Sequence, residues 1–287
     1  MLFLYALATA IATASPATGA RDDQAIVVEG TRDPERAASD YLDKVLPATM
    51  DTEIGRFEDP LCPKVVGLPD NLKNEVLGRI AQVAEVSSLR VNPDVCTPNL
   101  LIIVVDDKKA LIEGMRRHKE AYLYGLGLDR IHELERDPRP AAAWQLVDVI
   151  GADGMPLRQD GDGFPRLFTT VPASRTQTTT RKRLLAGIVI LEHRGLVGVT
   201  TRQLADYALV RLLTTMQSRE RPAPNSSILS LFNEDVQPAT APPSLTSWDL
   251  AFLKALADTR SDANADVQWH EIRNRIVAEM AKVRQSN

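Results

Sequence analysis

Histidine and cysteine are scarce in this chain, with four of the first and two of the second in 287 residues. Zinc hydrolysis on a helix needs two imidazoles one turn apart and a carboxylate base, the H-E-x-x-H pattern. His132-Glu133 and His270-Glu271 supply its first two letters, and no histidine follows either at the fifth position. His118 and His193 belong to no such pattern. The G-x-S-x-G turn that exposes a nucleophilic serine is missing, as are the phosphate-cradling G-x-G-x-x-G and G-x-x-x-x-G-K-[ST] loops. Gly125-Leu126-Gly127 is only a fragment of the first. Asp160-Gly161-Asp162-Gly163 lacks the ordered ligand series and closing glutamate of a calcium loop, and reads as a polar turn. No catalytic residue, metal ligand or cofactor is assigned on these grounds.

Charge of one sign is not in large excess either. Lysine and arginine number 34 against 38 acidic residues, a formal charge of -4. A mildly acidic chain gives no sign of non-specific nucleic-acid binding. Long apolar runs are confined to the start: Leu2 to Ala14 is followed by Pro16, the small residues Thr18, Gly19 and Ala20, and then Arg21-Asp22-Asp23. That order is the order of an export signal over residues 1–20. The run is about 13 residues, short of the roughly 20 that a membrane helix needs. Retention as an N-terminal anchor is the alternative. After signal removal no membrane span is expected, because the best later run, Leu100 to Val105, has the length of a strand. A periplasmic or secreted location is therefore expected. In an oxidising compartment Cys62 and Cys96 read most simply as one disulfide. Closing a loop of roughly 35 residues stabilises a fold by about 3–4 kcal/mol in the chain-entropy model.

What is present is a globular pattern with 44% hydrophobic residues. Residues 21–33 form a β-prone leader. Within it Ile26-Val27-Val28-Glu29-Gly30-Thr31-Arg32 resembles the segment that opens many TonB-dependent outer-membrane receptors. That resemblance implies a Gram-negative envelope protein, and a role as an accessory of TonB-linked transport is one expectation. Residues 34–287 read as one α+β domain, a mixed sheet of few strands packed by several helices. Pro34 starts a helix to about Leu46. Residues 54–68 look irregular. Asp70 is placed as the cap of a helix to Val86, with Leu72, Val76, Ile80 and Val83 on one face. Leu100–Val105 reads as a strand buried on both faces, and Asp106 as the cap of a helix to His118. Proline and glycine make residues 137–180 look loop-rich, with a short strand around Leu167–Val171. The basic run Thr178 to Arg183 reads as a solvated strand edge, and Ala186–Leu191 as a second strand.

The clearest helix follows. Thr200 as N-cap with Gln203 three residues on makes a capping box, and Val199 and Leu204 a hydrophobic staple. Leu204, Ala208, Leu212 and Met216 repeat every four residues. Thr246, Asp249, Leu245 and Leu250 repeat that grammar. Pro238–Pro243 between them reads as an extended crossing. The last helix, Asp266 to Val283, carries a stripe of Trp269, Ile272, Ile276, Met280 and Val283. Asp206 and Tyr207 are polar insertions in an apolar helix. Burying a carboxylate alone is costly, so Asp206 reads as a hydrogen-bonded anchor or as pocket lining. Gln203, Asp206, Tyr207 and Arg211 are the candidate cleft residues.

One longer resemblance covers residues 185–257. The strand to Leu191, the Thr200 helix, Ser227-Ile228-Leu229-Ser230-Leu231-Phe232-Asn233-Glu234-Asp235 and Leu245-Thr246-Ser247-Trp248-Asp249-Leu250 resemble a family of secreted bacterial domains similar to zincin metallopeptidases. There the helix carries Glu or His-Glu. Here it reads Gln203-Leu204-Ala205-Asp206-Tyr207-Ala208. The resemblance thus implies a zincin-like fold without its metal site: a non-catalytic binding or structural protein of the envelope, with an envelope protein or glycan as its partner. The alternative is a metal-independent hydrolase using a carboxylate pair about 5–10 Å apart.

Overall fold

A computed structural model describes residues 33–46, 53–92, 95–162, 165–168, 171–214 and 222–285. The export segment, the β-prone leader to Arg32 and Met216 lie outside the described residues. In chain order the elements are α1 (Pro34–Val45), β1 (Pro63–Val66), α2 (Asp70–Val86), β2 (Leu100–Val105), α3 (Lys108–His118), α4 (Leu128–Arg136), β3 (Ala141–Gly151), β4 (Arg158–Gln159), β5 (Pro165–Arg166), β6 (Thr180–Glu192), α5 (Thr201–Leu213), α6 (Ser247–Asp258) and α7 (Ala265–Gln285). A 3-10 helix, Ile228–Phe232, lies between α5 and α6.

The expected α+β class is what the chain adopts. Four strands form a mixed sheet in the order β1-β2-β6-β3. β2 pairs parallel with both β1 and β6, and β3 runs antiparallel to β6 on the edge. Side chains alternate across a strand, and here both faces are covered. Leu100, Ile102, Val104, Ala143, Val189 and Leu191 join a large core with α1, α2, α5, α6 and α7. Trp144, Leu146, Ile188 and Ile190 join a smaller one with Ile112 and Met115 of α3 and Ile131 and Leu134 of α4. Helix α5 lies close over β6: a Cβ at Gly187 would come within 3.1 Å of the Leu212 carbonyl oxygen, so any side chain there would push against the helix.

Several expectations are corrected. Residues 137–180 contain the 11-residue strand β3, whereas Leu167 and Phe168 have no regular structure. β3 is a strand because β6 pairs with it along its length, with an irregularity that leaves Leu185 outside the register. The basic run is no solvated edge: Thr180 to Arg183 pair with Gly151 to Asp148, and Arg183 bonds Asp148 at 2.7 Å. Part of the irregular stretch 54–68 is β1, next to Cys62. Asp70 is the first residue of α2 and Pro69 stands at its cap, with no side-chain capping bond. Asp107, not Asp106, caps α3 by accepting from the Ala110 amide. Pro238–Pro243 turns back, with the Thr240 and Ala241 amides on the Gln237 carbonyl. In α7, Gln268 is buried and Trp269 only half-buried, because the Gln268 amide accepts from Ile54 N–H and donates to the Arg260 carbonyl.

Cys62 and Cys96 are disulfide-bonded, with their Cα atoms 6.1 Å apart. The bond ties the start of β1 to the loop before β2. No helix among the described residues is long and apolar enough to cross a membrane. Cys62→Ser is expected to lower unfolding stability by about 3–4 kcal/mol in denaturant titration. A mutant as stable as the parent would show that the parent is reduced in solution.

Candidate functional site

The capping box predicted at Thr200 forms as expected. The Gln203 amide N–H reaches Thr200 Oγ1 at 3.1 Å, and the Thr200 N–H reaches Gln203 Oε1 at 3.1 Å. The Gln203 side-chain nitrogen then donates to the carbonyls of Pro238 and Pro242. Gln203 thus holds the proline-rich turn against α5 and is turned away from any cleft. A second capping box joins Thr246 and Asp249 at the start of α6.

Asp206 lies one turn further along α5 and is fully buried. Its carboxylate accepts from Arg79 Nε at 2.7 Å and Arg79 Nη2 at 3.0 Å, the bidentate geometry that suits a guanidinium. The Ser244 hydroxyl and the Leu245 amide complete its shell at 2.7 and 2.8 Å. This is the hydrogen-bonded anchor of the two readings. Asp249 on α6 is the second buried carboxylate. It accepts from Tyr41 of α1 at 2.9 Å, from the Ser227 hydroxyl, and from the amides of Ile228 and Thr246 at 2.8 and 3.0 Å. Burial raises its carboxyl above the usual range, although those donors pull the other way. Ser227 is spent on this network and on capping the 3-10 helix.

Tyr207 and Arg211, the other two candidates, face elsewhere. They line a cavity of about 50 Å³ with Arg130, Glu133, Asp137, Arg139 and Asn233, floored by Ala141 to Ala143 of β3. Tyr207 packs edge-on to Phe232, with ring centroids 4.6 Å apart. Burial raises its hydroxyl pKa, so the phenol stays neutral at physiological pH. Arg211 is held in place from behind: Gln145 of β3 donates to its carbonyl at 3.1 Å and to that of Thr214 at 2.6 Å.

Two wall residues escaped the sequence reading. Arg139 sits between Pro138 and Pro140, and its side chain bonds Asp137 through Nε and Nη2. The pairing holds the Asp137 carboxyl below its usual range against the upward push of burial. Arg130 bonds Glu133. The loop carrying Arg139 is fixed by Lys108, which is 2% exposed and donates Nζ to the carbonyls of Asp137 and Arg139 at 2.7 Å each. A buried lysine stands out in sequence only as a charged residue in the first turn of a helix, a place for acids. Glu192 takes the Lys108 backbone amide at 3.0 Å.

Beside this cavity lies a larger one of about 530 Å³, lined by Arg194, Val197, Leu231, Val236, Glu234 and three prolines. Arg139, Phe232 and Asn233 belong to both walls. A third cavity, about 520 Å³, is lined by Arg79, Arg202, Ser244 and Trp248 among others. Its Arg79 and Ser244 are committed to Asp206.

A zinc ion of the kind zincin metallopeptidases hold does not fit these residues. The Gln203 amide is consumed, the Asp206 carboxylate is locked to Arg79, and Tyr207 is a neutral phenol. Among the described residues no three His, Cys, Asp or Glu side chains gather to hold a metal ion. Set against models of known protein families, curated proteins and solved structures, the chain matches none of them.

Asp249→Ala is expected to destabilise the protein by about 3 kcal/mol or more, since it orphans several buried donors at about 1–3 kcal/mol each. Denaturant unfolding followed by circular dichroism measures it. A loss under about 1 kcal/mol would mean that water reaches those donors.

Proposed function

We propose that this chain is an exported, non-catalytic binding protein of the bacterial envelope, built on a scaffold resembling a metallopeptidase that has lost its metal site. The observation that carries this reading is the use made of α5. The positions that would present ligands instead carry Gln203 and Asp206, and both are consumed in holding neighbouring loops. The arginine-lined cleft beside Tyr207 and Arg211 is one of the cavities among the described residues that stay open. The disulfide supports a compartment outside the cytoplasm, and the export signal read at residues 1–20 points the same way.

A carboxylate-pair hydrolase gains no support from the cleft. A general acid needs a raised pKa, yet Asp137 is depressed by Arg139. Asp249, which is raised, is buried in the core and lines neither chamber of the cleft.

Purified protein incubated with excess zinc and then desalted is expected to retain no stoichiometric metal. It is also expected to leave unfolded protein and cell-wall glycan substrates intact. A full equivalent of zinc, together with peptide cleavage that a chelator stops, would overturn the reading.

A further inference from the structure

The cavity of about 520 Å³ opens between the end of α2 and the loop into α6, and its walls are mostly apolar: Val83, Val86, Pro242, Pro243, Leu245 and Trp248. No aspartate or glutamate among the described residues lines it. Val86 is 56% exposed, an apolar wall left in water. The side-chain amides of Gln82 and Asn225 stand at the same cavity and have no partner among the described residues. Apolar walls with a few unspent neutral hydrogen-bonding groups suit an extended peptide segment. Its backbone supplies N–H and C=O groups, and its side chains point alternately to either side.

The point at which the described chain starts selects the segment. Asp33 caps α1, and residues 21–32 precede it outside the described residues. Tyr41 follows eight residues later, about 12 Å along the helix. Its ring stacks on Trp248 with centroids 5.9 Å apart, and its hydroxyl bonds Asp249. Helix α1 thus touches the cavity wall at the first turn of α6. Downstream the chain comes to the last turn of α6, where Arg56 donates to the Leu256 carbonyl. A straight α1 therefore has its start toward the loop before α6, the loop that walls the cavity. Twelve residues fully extended cover up to about 40 Å, well beyond the distance back to Tyr41. Within them Ile26-Val27-Val28 is the one apolar run, and burial of such side chains is favourable.

We propose that the leader of this same chain fills the cavity, with Ile26 to Val28 seated against Val86, Pro243 and Trp248. The leader is then a built-in plug, and the groove opens to another extended segment only when the leader is displaced. This inference is independent of the binding-protein reading, which concerns the cleft beside Tyr207.

Hydrogen exchange of the full chain, read by mass spectrometry, tests it. The double substitution Ile26→Asp and Val28→Asp, outside the described fold, is expected to speed exchange in residues 79–86 and 240–248 at least about tenfold. The rest of the fold is expected to exchange as in the parent. A synthetic peptide of residues 21–33 is expected to bind the double variant at least about tenfold more tightly than the parent. In the parent the tethered leader competes at an effective concentration on the order of millimolar. Val86→Glu, at an exposed position, is expected to speed the same exchange and to weaken the peptide about tenfold or more. Unchanged exchange at the groove in the double variant, equal peptide binding by parent and double variant, or no peptide binding by either overturns the inference. Groove protection that rises with protein concentration overturns it as well, because the occupant is then a second copy of the chain.

Discussion

A carboxylate taken out of water must be met by donors on every side, and α5 meets that demand at Asp206. It draws in Arg79 from α2 together with Ser244 and Leu245 from the loop before α6. Three separate parts of the chain are thereby fixed around one buried charge. An ion pair of this kind gains little over a well-packed apolar contact, yet losing one partner is severe, because the other charge stays behind. Asp249 repeats the arrangement one helix later and joins α1, the 3-10 helix and α6. The two carboxylates hold the helical layer on the larger core side of the sheet.

That rigidity positions the cleft. With Gln203 and Asp206 occupied on one side of α5, Tyr207 and Arg211 are presented on another, toward the edge strand β3. Lys108 anchors the loop that carries Arg139 from the opposite direction. The wall residues therefore come from α4, α5, the 3-10 helix and the loop into β3.

How far the sequence reveals all this follows from how local each signal is. The capping boxes at Thr200 and Thr246 are legible because every atom involved lies within four residues. β2 is legible as an unbroken apolar run. β3 is not: Ala141-Ala142-Ala143 has weak strand propensity, and its strand state comes from pairing with β6, some forty residues on. The cap of α3 shifts by one position because two adjacent aspartates, Asp106 and Asp107, can fill the role, whereas α2 starts at Asp70 with no side-chain cap at all. Asp206 is legible as a polar insertion, but Arg79, its partner, lies 127 residues away. Arg139 gives even less away, since a lone arginine between prolines reads as loop surface until Lys108 and Asp137 are seen to pin it. The segment read as an export signal lies outside the described residues, so that expectation stands on sequence alone.

The claim beneath the whole account is that Asp206 serves the scaffold through Arg79. A double-mutant cycle with Asp206→Asn and Arg79→Met, read by denaturant unfolding, measures this directly. The account predicts a coupling energy above about 1.5 kcal/mol, within the range for contacting buried partners. A coupling below about 0.5 kcal/mol, with Asp206→Asn as stable as the parent, would contradict it and return Asp206 to the cleft.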